Sequence, residues 1–185
     1  FGLKASRQVG PTIADDIKSG AVYSIIFSLI VVFLYILIRF RKWQFSLGAV
    51  VALLHDVLFV MGVFSLADGF LPFQLEVDQA FIAAILTVIG YSLNDTVVVF
   101  DRIRENMGSR GKQNGVSINK SLNQTLSRTF NTSLTTFFVL LVIFLFGGEV
   151  IRGFMFALLL GVLVGTYSSL FIATPVMFDA SDKES

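Results

Sequence analysis

Five long apolar stretches constrain the fold of this 185-residue chain more than any other feature of its sequence. A helix needs about 17–25 predominantly apolar residues to cross the hydrocarbon core of a bilayer. The stretches that meet this requirement are residues 21–38, 45–67, 80–100, 129–147 and 153–178. None of them alternates apolar and polar residues as the strands of a membrane barrel do. The sequence therefore predicts an all-α polytopic membrane protein with five transmembrane helices.

Composition supports this class and excludes several kinds of site. The chain is 55% apolar and 15% charged, whereas soluble domains are roughly 45–50% apolar and about 25% charged. It has no cysteine and one histidine, which excludes disulfide scaffolds and the usual cysteine or histidine metal clusters. A net charge of +1 gives no overall signature of nucleic-acid binding. We expect no metal, no cofactor and no nucleic-acid partner.

The basic residues predict the orientation of the spans. Those in the loops after the first and third spans are Arg39, Arg41, Lys42, Arg102, Arg104, Arg110, Lys112 and Lys120. The loop after the second span has no Lys or Arg, and the loop after the fourth has only Arg152. The positive-inside rule then places the N-terminus outside and the C-terminus in the cytoplasm. The predicted regions are an extracytoplasmic lead-in at 1–20, a transmembrane domain at 21–178, a cytoplasmic loop at 101–127 and a cytoplasmic tail at 179–185.

Part of the cytoplasmic loop has a helical pattern. Ile118, Leu122, Leu126 and Phe130 recur every four residues. This spacing predicts an amphipathic helix that continues directly into the fourth span.

Asp95 is a carboxylate inside the third span. A helical rise of 1.5 Å per residue places it about 8 Å from the end of that span at Phe100. Thr87, Tyr91 and Asn94 share its helical face and form a polar stripe. A carboxylate in a low-dielectric medium favours its neutral form, which is what a proton carrier requires. We predict a proton-pathway role for Asp95, with Asn94 as a secondary polar group; the alternative is an aspartate that caps or snorkels near the inner interface.

Arg128 opens the fourth span, and Thr132 lies on its face one turn later. The third and fourth spans form an antiparallel hairpin, so Asp95 and Arg128 fall at a similar depth. A buried ion pair between them would keep Asp95 ionised until something separates the two groups. The alternative is that Arg128 is an anchor that reaches lipid phosphate.

His55 and Asp56 lie near the middle of the second span. A charged side chain at that depth costs about 2.5–3.5 kcal/mol on insertion scales, so it should face protein or water. Gly48 and Ala52 lie on the same face as Asp56 and would allow close packing there. Two interpretations remain open: a proton relay, or a carboxylate that holds a neighbouring helix by hydrogen bonds. In the last span, Gly161 and Gly165 form a GxxxG pair that predicts close helix packing within this chain.

Residues 91–106, YSLNDTVVVFDRIREN, resemble the signature of the SecD/SecF family of protein-export membrane subunits, in its SecF form. Residues 121–129, SLNQTLSRT, and 133–136, SLTT, are similar to the helix that follows this signature in the family. The His55-Asp56 dipeptide and the segment 9–12, VGPT, also match. SecD has a related stretch with an Asp-Ala-Asn core, which this chain lacks. The resemblance covers essentially the whole chain.

The resemblance implies a fold, a function and partners. Family members belong to the resistance-nodulation-division superfamily, so the chain would be half of a helical bundle completed by SecD. It would lie in the bacterial inner membrane and assist the SecYEG translocon in exporting polypeptides, using the proton motive force and without enzymatic activity. Asp95 and Arg128 fall on the family's proton-pathway positions. The chain begins at Phe1 without a signal-peptide pattern, and we expect a fragment that lacks the family's first span and extracytoplasmic domain.

Two alternative functions remain at this point. The same charged pair would serve a proton-coupled exporter of small molecules or lipids from the same superfamily. The charges would also fit a passive membrane scaffold, in which they only hold helices together.

Overall fold

The computed structural model describes residues 11–73, 75–107 and 115–182, with the side chains of 11–16 and 182 left aside. The described residues form six α-helices and one short π-helical segment. In chain order these are α1 (Pro11–Phe40), α2 (Trp43–Ala67), α3 (Gln79–Asn106), α4 (Gly115–Phe146), α5 (Glu149–Ser168), the π-helical segment Ser169–Ala173, and α6 (Thr174–Asp182).

Within these ranges, five helices are long and apolar enough to cross a membrane. They are α1 from Ile17 onward, α2, α3, α4, and the continuous run of α5, the π-helical segment and α6. The all-α, five-helix prediction is therefore confirmed. The helices are longer than the apolar stretches, because α3 continues to Asn106 and α4 begins at Gly115. Most of the region expected as the cytoplasmic loop 101–127 is thus helical, and residues 108–114 of it lie outside the described residues.

Local signals set two of the helix ends. Asp78 caps α3, since its side chain accepts a hydrogen bond from the backbone N–H of Phe81 at 2.9 Å. At the end of α1, Arg41 has a left-handed backbone with φ of 56°, and its N–H donates to the carbonyl of Leu37 at 2.8 Å. This is the αL type of C-cap, in which glycine is the usual residue. A non-glycine residue costs roughly 1–2 kcal/mol in this conformation.

Helix α3 lies at the centre of the bundle and packs against α2, α4 and α5. The predicted close packing of the GxxxG pair is confirmed, because both glycines face α3. A Cβ atom at Gly161 would overlap the side chain of Val88, and one at Gly165 would lie 2.9 Å from the Cβ of Ser92. Small residues at such contacts let helix backbones approach closely in membranes. Helices α1 and α4 are the least buried of the five.

The helix predicted to continue into the fourth span is present, as the first part of α4. The inward residues of α4 are Ile118, Ser121, Thr125, Thr129 and Ser133. Leu126 and Phe130 are 44% and 59% exposed. In a bilayer the lipid side accepts large apolar residues, and small hydroxyl residues mediate helix contacts. The amphipathic helix exists, but beyond Leu122 its buried face is the polar one.

Phenylalanine clusters fix the two ends of the bundle. At one end Phe40 stacks on Phe45 with ring centroids 5.0 Å apart, and Phe100 contacts both rings edge-on. At the other end Phe64 contacts Phe81 at 4.3 Å. The first cluster joins the end of α1, the start of α2 and the last part of α3. It holds three helix ends in a fixed arrangement at one membrane boundary.

Candidate functional site

Asp56 is completely buried where α2, α3 and α5 meet. Its Oδ2 accepts hydrogen bonds from the hydroxyls of Ser92 at 2.7 Å and Ser168 at 2.8 Å. Its Oδ1 lies 3.2 Å from Nδ1 of His55, whose side chain is 35% exposed. Both carboxyl oxygens therefore have partners, and these come from three different helices. Such an arrangement fits a carboxyl that holds the helices together.

A hydroxyl network extends from Asp56 toward the π-helical segment. Ser169, the first residue of that segment, lies 2.8 Å from Thr96 Oγ1, oxygen to oxygen, and its hydroxyl is also within hydrogen-bonding distance of the Ser92 and Gly165 carbonyls. A π-helical turn adds one residue to the helical turn and is frequent at functional sites. Here two consecutive serines contact different helices: Ser168 contacts α2 and Ser169 contacts α3. The last span thus contributes polar groups that its lack of charge did not indicate.

Asp95 has a different environment. It is 3% exposed and faces α4, where Ser133 Oγ donates to its Oδ2 at 3.2 Å. Thr166 on α5 donates to the Ser133 hydroxyl at 2.6 Å. A relay of two hydroxyls therefore leads from α5 to the carboxyl of Asp95. The carboxyl has one described hydrogen-bond donor, compared with three for Asp56.

The expected ion pair between Asp95 and Arg128 is absent from the described part of the structure. No nitrogen–oxygen distance between the two side chains falls within 4.0 Å. Arg128 is exposed on α4. Arg128 and Thr132 are one turn apart and both lie on the outer face of α4. There a guanidinium keeps access to water or lipid phosphate.

The polar stripe predicted along α3 divides into two parts. Asp95 points into the bundle, whereas Thr87 and Asn94 are exposed, and Tyr91 is partly buried. On α4, Arg128 and Thr132 are exposed as well, and the Thr132 hydroxyl donates to the Arg128 carbonyl at 2.9 Å. We refer to the exposed set as the α3–α4 polar surface; its members are Thr87, Asn94, Arg128, Thr132 and Thr135.

The sequence interpretation named His55 but missed the hydroxyl residues around the two carboxyls. Ser92 and Ser168 donate to Asp56, Ser133 donates to Asp95, and Thr166 donates to Ser133. The available signal was the presence of adjacent serines and threonines in spans that are otherwise apolar. Within 11–73, 75–107 and 115–182, no group of three or more His, Asp or Glu side chains is arranged to hold a metal ion.

Comparison with known proteins places this geometry in a family. The family model "Protein export membrane protein SecD/SecF, C-terminal" matches residues 2–183. The protein translocase subunit SecF of Rhodothermus marinus is 60% identical over 172 residues, which cover 92% of this chain and 56% of that protein. The SecF of Thermodesulfovibrio yellowstonii is 47% identical over 178 residues, covering 95% and 57%. The chain therefore spans little more than half the length of these relatives.

Solved structures agree with the sequence relatives. The crystal structure of SecDF from Thermus thermophilus, a translocon-associated membrane protein, superimposes with a TM-score of 0.80 and 40% identity, covering 96% of this chain and 24% of that one. SecDF in a super-membrane-facing form gives the same TM-score at 38% identity, covering 95% and 23%. The five apolar helices and the bacterial SecF relatives identify a multi-pass protein of the bacterial inner membrane. Because the family model spans nearly the whole chain, the chain belongs to the SecD/SecF family of protein-export membrane proteins.

Proposed function

We propose that this chain is the membrane-embedded part of a SecF-type subunit that assists Sec-dependent protein export by using the proton motive force. Asp95 is the group that gains and loses the proton. The observation that carries the proposal is the environment of Asp95: a buried carboxyl with one hydroxyl donor and no ion-pair partner within reach. Such a carboxyl changes its charge without first breaking a salt bridge. A hydroxyl relay through Ser133 and Thr166 reaches it from α5.

Arg128 acts from the surface in this proposal. It is exposed on α4, five residues before the Ser133 that contacts Asp95. Loss of the proton from Asp95 would draw the guanidinium inward, and protonation would release it. The charge change on α3 would thereby be converted into a movement of α4, which is one of the two least buried helices.

Asp56 has the second, structural role left open by the sequence. Its two oxygens accept from Ser92 and Ser168 and approach His55, so its hydrogen-bonding capacity is used in joining three helices. A proton arriving at Asp56 would have to displace these contacts. We infer that Asp56 positions α5 and the π-helical segment relative to α3, while Asp95 carries the proton.

The partner proposed for this half of the bundle is SecD. Exposed polar groups within a span cost free energy in hydrocarbon unless protein or water covers them. The α3–α4 polar surface places five polar side chains on two helices that pack against each other. The hydroxyls of Thr87, Thr132 and Thr135 donate to carbonyls of their own helices. Asn94 and Arg128 are therefore the groups that most require cover. Repeat-built transporters place the functional groups of their two halves at a shared interface near the membrane centre. In the proposed function, the complete complex also acts with the SecYEG translocon and the exported polypeptide.

A cross-linking experiment tests the interface. The chain contains no cysteine, so single cysteines can replace Asn94 or Thr132 without other changes. Cross-links from both sites to SecD in native membranes would support the proposal. A cysteine at Phe27, which is 69% exposed on the peripheral helix α1, serves as the matched control and should give no adduct. Labelling of Asn94 and Thr132 sites by lipid-phase probes to the same extent as the Phe27 site would show that this surface faces lipid.

A further inference from the structure

A basic cavity of about 540 Å³ lies at the end of α1, beside the last turns of α3. Its lining residues are Ile38, Arg39, Phe40, Arg41 and Arg104. The volume falls within the roughly 300–1,000 Å³ typical of small-molecule sites. The helix ends around it are fixed by the stacked rings of Phe40 and Phe45. One wall of the cavity, Phe40, therefore belongs to the aromatic cluster that joins α1, α2 and α3.

The three arginines of the cavity are only partly neutralised. Arg39 forms an ion pair with Asp101 at 2.9 Å, and its guanidinium carbon lies 5.3 Å from the centre of the Phe40 ring. Arg104 donates one N–H to the backbone carbonyl of Arg39 at 3.3 Å, a contact that leaves its charge unpaired. The side chain of Arg41 has no hydrogen bond or ion pair to any residue that the structure describes. The cavity therefore has an excess of positive charge and several unused donors.

The backbone at Arg41 is unusual for a residue other than glycine. With φ of 56°, Arg41 occupies the left-handed position of an αL C-cap, for which glycine is preferred. An arginine at this position adopts a backbone conformation that its own side chain disfavours. Backbone strain of this kind concentrates at sites that bind ligands.

The cavity also has an apolar side. Ile38, one of its lining residues, is 77% exposed and lies one turn deeper along α1 than Arg41. Trp43, at the start of α2, is 44% exposed, and tryptophans at helix ends mark the level of lipid headgroups. Positive charge on one side and an exposed aliphatic side chain on the other match an amphiphile better than a free anion.

We propose that this cavity is a binding site for the headgroup phosphate of an anionic phospholipid. Arg41 and Arg104 are the residues that bind the phosphate, because a guanidinium presents paired N–H donors that match phosphate oxygens. Ile38 contacts the first part of an acyl chain. Basic pockets between transmembrane helices are known to take such headgroups in other proteins. The site is distinct from the buried carboxyls and does not depend on proton transfer.

The test compares lipids that share acyl chains and differ in headgroup. The thermal unfolding midpoint of the purified full chain in detergent micelles is measured with added phosphatidylglycerol, phosphatidylcholine or inorganic phosphate. We expect phosphatidylglycerol to raise the midpoint more than phosphatidylcholine does, and phosphate alone to have little effect. An equal shift from inorganic phosphate would overturn the assignment to a lipid, and equal shifts from the two lipids would overturn the site.

Substitutions locate the effect. Arg41→Gly and Arg104→Gln should each remove at least half of the difference between the two lipids. Arg41→Gly also relieves the left-handed backbone, so its midpoint in phosphatidylcholine should not fall. Lys42→Gln is the matched control, because it removes one positive charge from the same linker without touching the cavity. If Lys42→Gln reduces the difference as much as Arg41→Gly does, the lipid responds to general surface charge and the proposal is wrong. Native mass spectrometry, counting retained phosphatidylglycerol, gives a second readout for any variant with lowered stability.

Discussion

Replacement of Asp95 by asparagine separates a proton carrier from a structural carboxyl. Asparagine is nearly isosteric with aspartate and keeps a carbonyl oxygen that can accept from Ser133. In the unsubstituted protein, Ser133 Oγ lies 3.2 Å from Asp95 Oδ2. A hydrogen bond between transmembrane helices contributes about 0.6 kcal/mol on average and about 1.7 kcal/mol at most. A loss of 1 kcal/mol lowers the unfolding midpoint by roughly 2–4 °C in a chain of this size. We therefore expect Asp95→Asn to lower the midpoint by only about 1–2 °C.

The effect on export should be much larger than this stability change. Asparagine does not bind a proton in the physiological range, so Asp95→Asn should abolish the part of export that depends on the proton motive force. The assay is the rate of signal-sequence processing after pulse labelling, with the substitution placed in the intact SecF-type protein. The rate is measured with and without a protonophore, which identifies the proton-dependent component.

Asp56→Asn is the matched control for this experiment. It also exchanges a buried carboxyl for an amide, and an asparagine carbonyl at the Oδ2 position keeps both serine donors. The amide NH2 then faces Nδ1 of His55, so one hydrogen bond changes, at a cost of about 0.6 kcal/mol. We expect a midpoint similar to that of Asp95→Asn, with proton-dependent export retained. Wild-type export by Asp95→Asn, or equal loss of proton dependence in both variants, would refute the assignment of roles.

Three further outcomes follow from the packing and the orientation. Gly161→Leu should destabilise the bundle by about 1–3 kcal/mol, because the added side chain has no space against α3, and an unchanged thermal midpoint would contradict this packing. Ser168→Ala removes one donor to Asp56 and should lower the free energy of unfolding by about 0.6 kcal/mol, measured by equilibrium unfolding in mixed micelles. A loss above 2 kcal/mol would mean that Asp56 is less well satisfied than the distances indicate. Cysteines that replace Val77 and Val116 should be labelled from opposite sides of the membrane, Val77 from the periplasm and Val116 from the cytoplasm, as the positive-inside rule requires. Labelling of both sites from one side would exclude this topology.

The sequence by itself determined the class of fold and the number of spans. Apolar stretches of sufficient length have few structural solutions in a bilayer, since every backbone polar group must be satisfied within a helix or a closed barrel. The same physical reason made the GxxxG pair readable, because two small residues four apart leave space for a neighbouring backbone wherever that neighbour lies. The motif around Asp95 was also sufficient to indicate the family from the sequence.

The tertiary structure alone decided which polar side chains face one another. Asp95 and Asn94 are adjacent in sequence, yet one is buried against Ser133 and the other is exposed. The expected Asp95–Arg128 ion pair assumed that depth in the membrane fixes contact, but contact also depends on the rotation of each helix about its axis. That rotation results from packing over the whole bundle. The structure also decided which side of α4 packs inward: small hydroxyl residues face the bundle, whereas Leu126 and Phe130 face outward.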